Sequence, residues 1–123
     1  MRFRLTSPKA PKLSENDVER GVLDYLRLRG YYPIRLHVGR FRTKDDRWIT
    51  IGDPGIPDYI AAHEIYPAVF VETKAPGKVL RATQGSKVWE LRTGYRLAVT
   101  VADGVEALAS FLDQHEARHR GSK

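Results

Sequence analysis

Two short apolar runs with charged residues at their ends constrain the fold of this chain more than any other feature. The runs cover residues 59–62 and 68–71, and the His-Glu-Ile-Tyr-Pro segment between them suits a turn. An antiparallel hairpin brings the start of its first strand close to the end of its second. We therefore expect Asp58 to lie beside Glu72 and Lys74.

The charges at this end of the predicted hairpin need a physical explanation. Side chains alternate between the two faces of a strand, so Glu72 and Lys74 point to the same side and Thr73 points to the other. Two carboxylates and an ammonium beside an apolar hairpin are costly unless a ligand uses them. A divalent cation is the simplest such ligand, because oxygen donors suit Mg²⁺ and Mn²⁺.

The same residues form a motif that resembles a known family. The pattern is similar to the PD-(D/E)XK nuclease signature, and most similar to the VRR-NUC domain family in its stand-alone, phage-type form. That family has a Gly-x-Pro-Asp turn, a Glu-x-Lys strand and a glutamine on the following helix. The matching residues here are Gly55-Ile56-Pro57-Asp58, Glu72-Thr73-Lys74 and Gln84. The resemblance covers roughly residues 13–102, which is most of the chain.

The resemblance implies an α/β fold with a restriction-endonuclease-like core. Hydrophobic periodicity predicts the elements in the order helix, three strands, helix, strand, helix. The resemblance adds their arrangement, which is a mixed central sheet of about four strands flanked by helices. We expect three segments: a flexible basic arm at 1–12, the nuclease domain at 13–112 and a polar C-terminal tail at 113–123.

The resemblance also implies a metal-dependent endonuclease that hydrolyses DNA phosphodiester bonds with Mg²⁺ or Mn²⁺. When bound, the cation would acidify water and shield the phosphate charge. Lys74 would orient or deprotonate the attacking water, or stabilise developing charge, and the sequence leaves these roles open. The implied catalytic residues are Asp58, Glu72, Lys74, Gln84 and Glu15, and the implied metal ligands are Asp58, Glu72, the carbonyl of Thr73 and Glu15.

Glu15 lies at the start of the first predicted helix, which runs from a Ser14 cap to about Arg29. Glu15 falls in line with the apolar stripe of Val18, Val22 and Leu26. A glutamate in the first turn can simply complement the helix dipole and stay solvated. The resemblance favours a third acid for the metal site, with Glu15 as the better match and Glu19 in reserve.

The later helices and strands follow from the same periodicity. We predict a first strand at 31–38, a second helix at 78–93, a fourth strand at 95–102 and a third helix capped by Asp103. Gln84 lies on the apolar face of the second helix, where it must find hydrogen-bond partners, either a backbone group or the site itself. His115 and His119 are expected on a solvated helix end.

Charge points to a polyanionic partner. The chain has 21 Lys and Arg against 15 Asp and Glu, a net charge of +6. The segment from Gly39 to Gly52 interleaves basic and aromatic residues, which suits phosphate neutralisation and base stacking. The alternative is a solvated hairpin whose Trp48 and Ile49 pack on the core. The predicted nucleic-acid contacts are Arg40, Arg42, Lys44, Arg47 and Lys87.

Composition limits the remaining classes of function. The length of 123 residues suits one domain, and the absence of cysteine excludes disulfides and thiolate zinc sites. No signal peptide or membrane-spanning run is visible, so we expect a cytoplasmic protein, in a bacterial host if phage-encoded. We expect no membrane partner and no small-molecule cofactor.

The expected substrate is branched DNA, cut by a homodimer in the manner of a Holliday junction resolvase. A nicking or restriction-like nuclease, a nuclease component of a larger assembly and a non-catalytic nucleic-acid-binding module remain as alternatives.

Overall fold

The computed structural model describes residues 13–120, so the predicted arm at 1–12 and the last three residues lie outside the described part. The chain forms a mixed α/β fold with three α-helices and a four-stranded mixed sheet. The elements are α1 (Glu15–Leu28), β1 (Tyr32–Arg35), β2 (Gly39–Arg42), β3 (Trp48–Ile51), β4 (Tyr59–Ala62), β5 (Val69–Thr73), α2 (Ala82–Trp89), a π-helical turn (Glu90–Gly94), β6 (Ala98–Ala102) and α3 (Val105–His119).

The main sheet has the strand order β1-β4-β5-β6. β1 and β5 both pair antiparallel with β4, and β5 pairs parallel with β6. The predicted hairpin of β4 and β5 is confirmed, with Tyr59 opposite Val71. The next residues outward are Asp58 and Glu72, so the register brings the two acids to the same end of the sheet.

One face of the sheet carries the main hydrophobic core. Alternate residues of β4 and β5, such as Ala61, Val69 and Val71, are fully buried beneath α1 and α3. The core also takes in the predicted stripe of α1 and two leucines of α3. These helix residues are Val18, Val22, Leu26, Leu108 and Leu112.

The start of α1 follows the sequence prediction closely. The Ser14 hydroxyl accepts a hydrogen bond from the Asp17 amide at 3.2 Å, and the Asp17 carboxylate accepts one from the Ser14 amide at 3.1 Å. This reciprocal cap satisfies two amides of the first turn. At the other end, Gly30 adopts a φ of +86°, and the helix stops there as predicted. The cap fixes the turn that carries Glu15.

The boundaries of α2 and β6 differ from the prediction. The predicted helix at 78–93 is a regular α-helix only from Ala82 to Trp89, because the Arg81 backbone is extended, with a φ of −64° and a ψ of 156°, and the π-helical turn follows Trp89. The predicted strand at 95–102 begins only at Ala98, because Arg96 has a φ of +54°. Positive φ breaks both regular helix and regular strand geometry.

α3 also departs from the prediction at both of its ends. Gly104 occupies the cap position without a side-chain cap bond, so the predicted Asp103 cap is wrong. The helix continues to His119, well beyond Leu112, where we placed the end of the domain. His115 is only 4% exposed and its Nε2 lies 2.8 Å from the Pro67 carbonyl, so the prediction of a solvated histidine is wrong there. Because a carbonyl only accepts, Nε2 is the donor.

Residues 39–51 contain a separate antiparallel hairpin, β2–β3, that the strand prediction did not include. The alternative interpretation named a hairpin but expected Trp48 and Ile49 to pack on the core. Trp48 is 56% exposed and Ile49 is 45% exposed, so that packing does not occur. No helix within residues 13–120 is long and apolar enough to cross a lipid bilayer.

Candidate active site

The predicted Glu-Thr-Lys sequence lies at the carboxyl end of β5, between its two partner strands. Glu72 and Thr73 end the strand, and the Lys74 amide donates to the Ala102 carbonyl of β6 at 3.0 Å. Asp58 precedes β4 on the other side. The pairing with β6 continues to Thr73, whereas the pairing with β4 ends at Val71, so the backbone of this segment is held by β6 on one side.

Glu72 and Lys74 are buried to an unusual degree for charged residues. Glu72 is 2% exposed and Lys74 is 8% exposed. Burial raises the pKa of Glu72 to about 7, and repulsion from Asp58 adds to the rise while Lys74 opposes it. The more distant charge of Glu15 also raises this pKa. Charged groups are seldom buried this fully without a partner or a ligand.

Asp58 is held against β5 through Thr73. The Asp58 Oδ2 accepts from the Thr73 amide at 3.1 Å and from the Thr73 hydroxyl at 2.9 Å. Both bonds go to the same oxygen, so neither uses Oδ1. The sequence reasoning gave Thr73 a role only through its carbonyl and missed this role of its side chain. A hydroxyl residue beside a motif acid is the signal that could have revealed it.

Gln84 connects α2 to the site. Its amide nitrogen donates to Oε1 of Glu72 at 3.1 Å, and its amide oxygen accepts from the Arg81 backbone amide at 3.0 Å. The two partners that the sequence left as alternatives, a backbone group and a site residue, are both present. Gln84 therefore caps the start of α2 and positions the Glu72 carboxylate with one side chain.

The two candidate acids of α1 have different surroundings. Glu19 accepts hydrogen bonds from the Tyr59 hydroxyl and from Arg35, the latter at 3.2 Å. Burial, then the bond to Glu19, raises the pKa of Tyr59 to about 12. Glu15 is exposed and lines a pocket of about 820 Å³ that also contains Lys74. Glu15 is thus the acid that faces the predicted lysine.

Arg81 is a site residue that the sequence reasoning missed. It lines the pocket of Glu15 and Lys74 and also a second pocket, of about 410 Å³, that contains Asp58 and Gln84. Arg81 therefore lies where the two pockets meet. A basic residue three positions before Gln84 is the signal that could have identified it, because a cation near the start of a helix suits an anionic ligand.

The oxygen donors of the site determine which metal ion it could hold. Within residues 13–120, no group of three or more His, Asp or Glu side chains is arranged to hold one. The predicted three-acid set of Asp58, Glu72 and Glu15 is therefore not gathered around one point. Two adjacent carboxylates and a main-chain carbonyl remain, and Mg²⁺ commonly binds proteins through one or two carboxylates and several waters. The inner pair thus fits such an ion, with Glu15 acting from farther away.

The comparisons with known proteins identify no relative. No family model, no curated protein and no solved structure matches this chain. The arguments about function therefore depend on the residues and their geometry.

Gln84→Ala removes both hydrogen bonds of the side chain and leaves Glu72 without this donor. We expect the free energy of unfolding to fall by about 1 to 2 kcal/mol, the usual net value of two such bonds. Urea denaturation followed by circular dichroism measures the change. The control is Gln114→Ala, an exposed glutamine of α3, which should change stability little. An equal loss in both variants would contradict the assigned role of Gln84.

Proposed function

We propose that this protein is a metal-dependent nuclease that hydrolyses DNA phosphodiester bonds, with a restriction-endonuclease-like core of the PD-(D/E)XK type. The observation that carries the proposal is the half-buried Asp58 beside the buried Glu72 and Lys74 at one end of the central sheet. Stability alone gives no reason to bury a glutamate beside a second carboxylate, because a similar apolar residue would pack there at lower cost. A bound cation provides that reason.

The chain's own residues have distinct roles in this proposal. Asp58, Glu72 and the Thr73 carbonyl hold the cation, which when bound supplies charge against the phosphate and an acidified water. Gln84 and Thr73 keep the two carboxylates in place through the bonds described above. Lys74 lies beside them and supplies positive charge or accepts a proton from the nucleophile.

The nucleic-acid surface in this proposal is the β2–β3 hairpin together with Lys87. The Arg40 guanidinium lies 4.9 Å from the centre of the exposed Trp48 ring, an arrangement that presents a cation and a stacking surface together. Arg42 and Arg47 form ion pairs with Asp46 and Asp45 inside the hairpin. Within residues 13–120, Arg40 and Lys44 form no ion pair.

Lys87 is less available for phosphate than Arg40 and Lys44. Its ammonium lies 3.0 Å from a carboxylate oxygen of Asp53 and 3.4 Å from one of Glu90. These hydrogen bonds raise the pKa of Lys87. Lys87 therefore remains in the proposed surface as a secondary contact.

The proposed substrate is branched DNA and the proposed active form is a homodimer. One domain of this size carries one site, so paired cuts in two strands need two chains. The proposed surface presents its cations on a hairpin, which favours contacts to the backbone and selection by shape.

Asp58→Asn and Glu72→Gln should each reduce cleavage of DNA in Mg²⁺ by about 1000-fold, because each weakens charge stabilisation worth several kcal/mol. Chelation of the cation with EDTA should stop DNA cleavage by the wild-type protein. Cleavage of labelled plasmid and oligonucleotide substrates measures the rates, and circular dichroism confirms folding. Glu64→Gln, at an exposed turn, is the matched control.

Wild-type rates in either folded site variant would contradict the proposed metal site. The wild-type protein could also bind DNA but cut no form of DNA in Mg²⁺ or Mn²⁺. That result would contradict the nuclease assignment and favour a non-catalytic nucleic-acid-binding module.

Replacing Arg40 and Lys44 together by Ser should weaken the salt dependence of DNA binding. The slope of log affinity against log salt should fall in magnitude by about 1.8, because two fewer phosphates of duplex DNA are neutralised. The matched variant replaces Arg42 and Arg47, which removes the same charge from cations already paired with Asp46 and Asp45, and should reduce the slope less. Fluorescence anisotropy at several salt concentrations provides the values. An unchanged slope in both would exclude the hairpin as the binding surface.

A labelled four-way junction should be cut faster than a linear duplex of the same sequence. We expect a difference of about tenfold, since junction geometry aligns two sites of a dimer with two backbones. Light scattering gives the mass of the protein under the same conditions. Equal rates on both substrates by a monomer would remove the resolvase assignment and leave a general nuclease.

A further inference from the structure

A basic pocket lies at the end of the sheet opposite to the candidate active site. It has a volume of about 590 Å³ and lies between the π-helical turn, the start of β6 and the last turns of α3. Ala98 of β6 lines this pocket, and Ala102 of the same strand pairs with Thr73 of the candidate active site. The two alanines are four residues apart, which is roughly 13 Å along a strand. None of the residues of this pocket belongs to the site described above.

The charge of this pocket is of one sign. Its lining includes Arg92, Arg96, Arg118, His115 and His119, and it includes no Asp or Glu. The ion pairs within residues 13–120 use other cations, namely Arg27, Arg29, Arg35, Arg42, Arg47 and Lys87. Three arginines without a carboxylate partner in the described chain therefore converge on one cavity.

The position of the cations is only partly explained by local structure. Arg118 and His119 lie in the last turn of α3, where the helix dipole favours positive charge. The dipole of α3 gives no reason for Arg92 and Arg96, which come from a different segment, to line the same cavity. Their convergence is what an anionic ligand would require.

Part of the pocket is held in a fixed geometry. The Arg92 Nε and Nη2 donate to the Val99 carbonyl at 3.1 Å and 2.8 Å, which leaves Nη1 outside these two bonds. The buried His115 ring is fixed by its bond to Pro67, and it stacks against Phe111 with a centroid distance of 6.0 Å. A planar guanidinium held in this way suits the tetrahedral oxygens of a phosphate, which accept several directed N–H bonds.

We propose that this pocket binds a phosphate group, with Arg96 and Arg118 as its principal contacts and Arg92 as an oriented donor. The phosphate comes either from a nucleic-acid backbone or from a small phosphorylated molecule. The proposal is independent of nuclease activity, because it rests on a cavity that the proposed reaction does not use.

The first experiment titrates the wild-type protein with inorganic phosphate and follows amide chemical shifts by NMR. Sodium chloride at the same ionic strength is the reference. We expect saturable shifts at Arg96, Leu97 and Arg118, with a Kd on the order of 1 mM, the scale of a few exposed charge contacts. Absence of saturable shifts at these residues would overturn the proposal without any variant.

The second experiment uses Arg96→Ser with Arg118→Ser, two exposed side chains whose removal leaves the core intact. Phosphate binding should weaken about tenfold, for two exposed ion pairs. The matched control is Arg20→Ser with Arg27→Ser on the exposed face of α1, which removes the same charge and should leave the affinity unchanged. Equal weakening in both double variants would overturn the proposal, because it would reflect net charge alone.

Duplex DNA distinguishes the two sources of phosphate. If the DNA backbone enters the pocket, the salt slope of DNA binding falls in the pocket variant by roughly 0.9 for each arginine that had neutralised a phosphate. If phosphate affinity falls while the DNA slope stays the same, the ligand is a small phosphorylated molecule. Both results support the site, and cleavage need not be measured for either.

Discussion

The antiparallel pairing of β4 with β5 determines most of what this structure can do. Its register places Tyr59 opposite Val71, and this register determines both the hydrophobic core and the candidate site. On one side it aligns the small and branched residues that α1 and α3 cover. At the end of the strands it brings Asp58 to Glu72. A slip of one residue would turn every side chain of β5 to the other face, exposing Val71 and moving Glu72 into the apolar core.

The energetic character of the site follows from this register. Glu72 has little access to water, and this burial, followed by the nearby charge of Asp58, raises its pKa to about 7. Hydrogen bonds from Thr73 and Gln84 reduce this cost without removing it. In the folded protein, positive charge near Glu72 would therefore be stabilising, and Lys74 offsets the raised pKa of Glu72 only in part. A nuclease of the proposed type would use the attraction of these carboxylates to hold its cation.

The sequence predicted the parts of the fold that depend on local pattern. The apolar alternation of β4 and β5 and the stripe of α1 were visible because buried faces require them. The Ser14–Asp17 cap was visible because its two partners are three residues apart. The sequence did not predict strand boundaries that depend on a single residue with positive φ. Arg96, just before β6, is the clearest example, since an arginine gives no sign of a left-handed backbone.

Long-range contacts within the site were the hardest to anticipate. The sequence favoured Glu15 over Glu19 only through the resemblance, and the tertiary structure shows that Glu19 is engaged with Tyr59 while Glu15 lines the pocket of Lys74. The prediction of a solvated His115 was wrong for the same reason, because its partner is a carbonyl 48 residues earlier in the chain. Such pairings depend on topology, which periodicity does not encode.

Arg92 has a further consequence, for the way two copies of this chain can meet. β6 is one edge of the main sheet, and the outward-facing Val99 carbonyl of that edge already accepts hydrogen bonds from the Arg92 side chain. β1 is the other edge, and it contains Pro33, which has no amide hydrogen to offer. Both margins are therefore poor templates for strand addition. A second copy would therefore join more readily through side chains than by extending the sheet, and the same two features oppose aggregation through the edges.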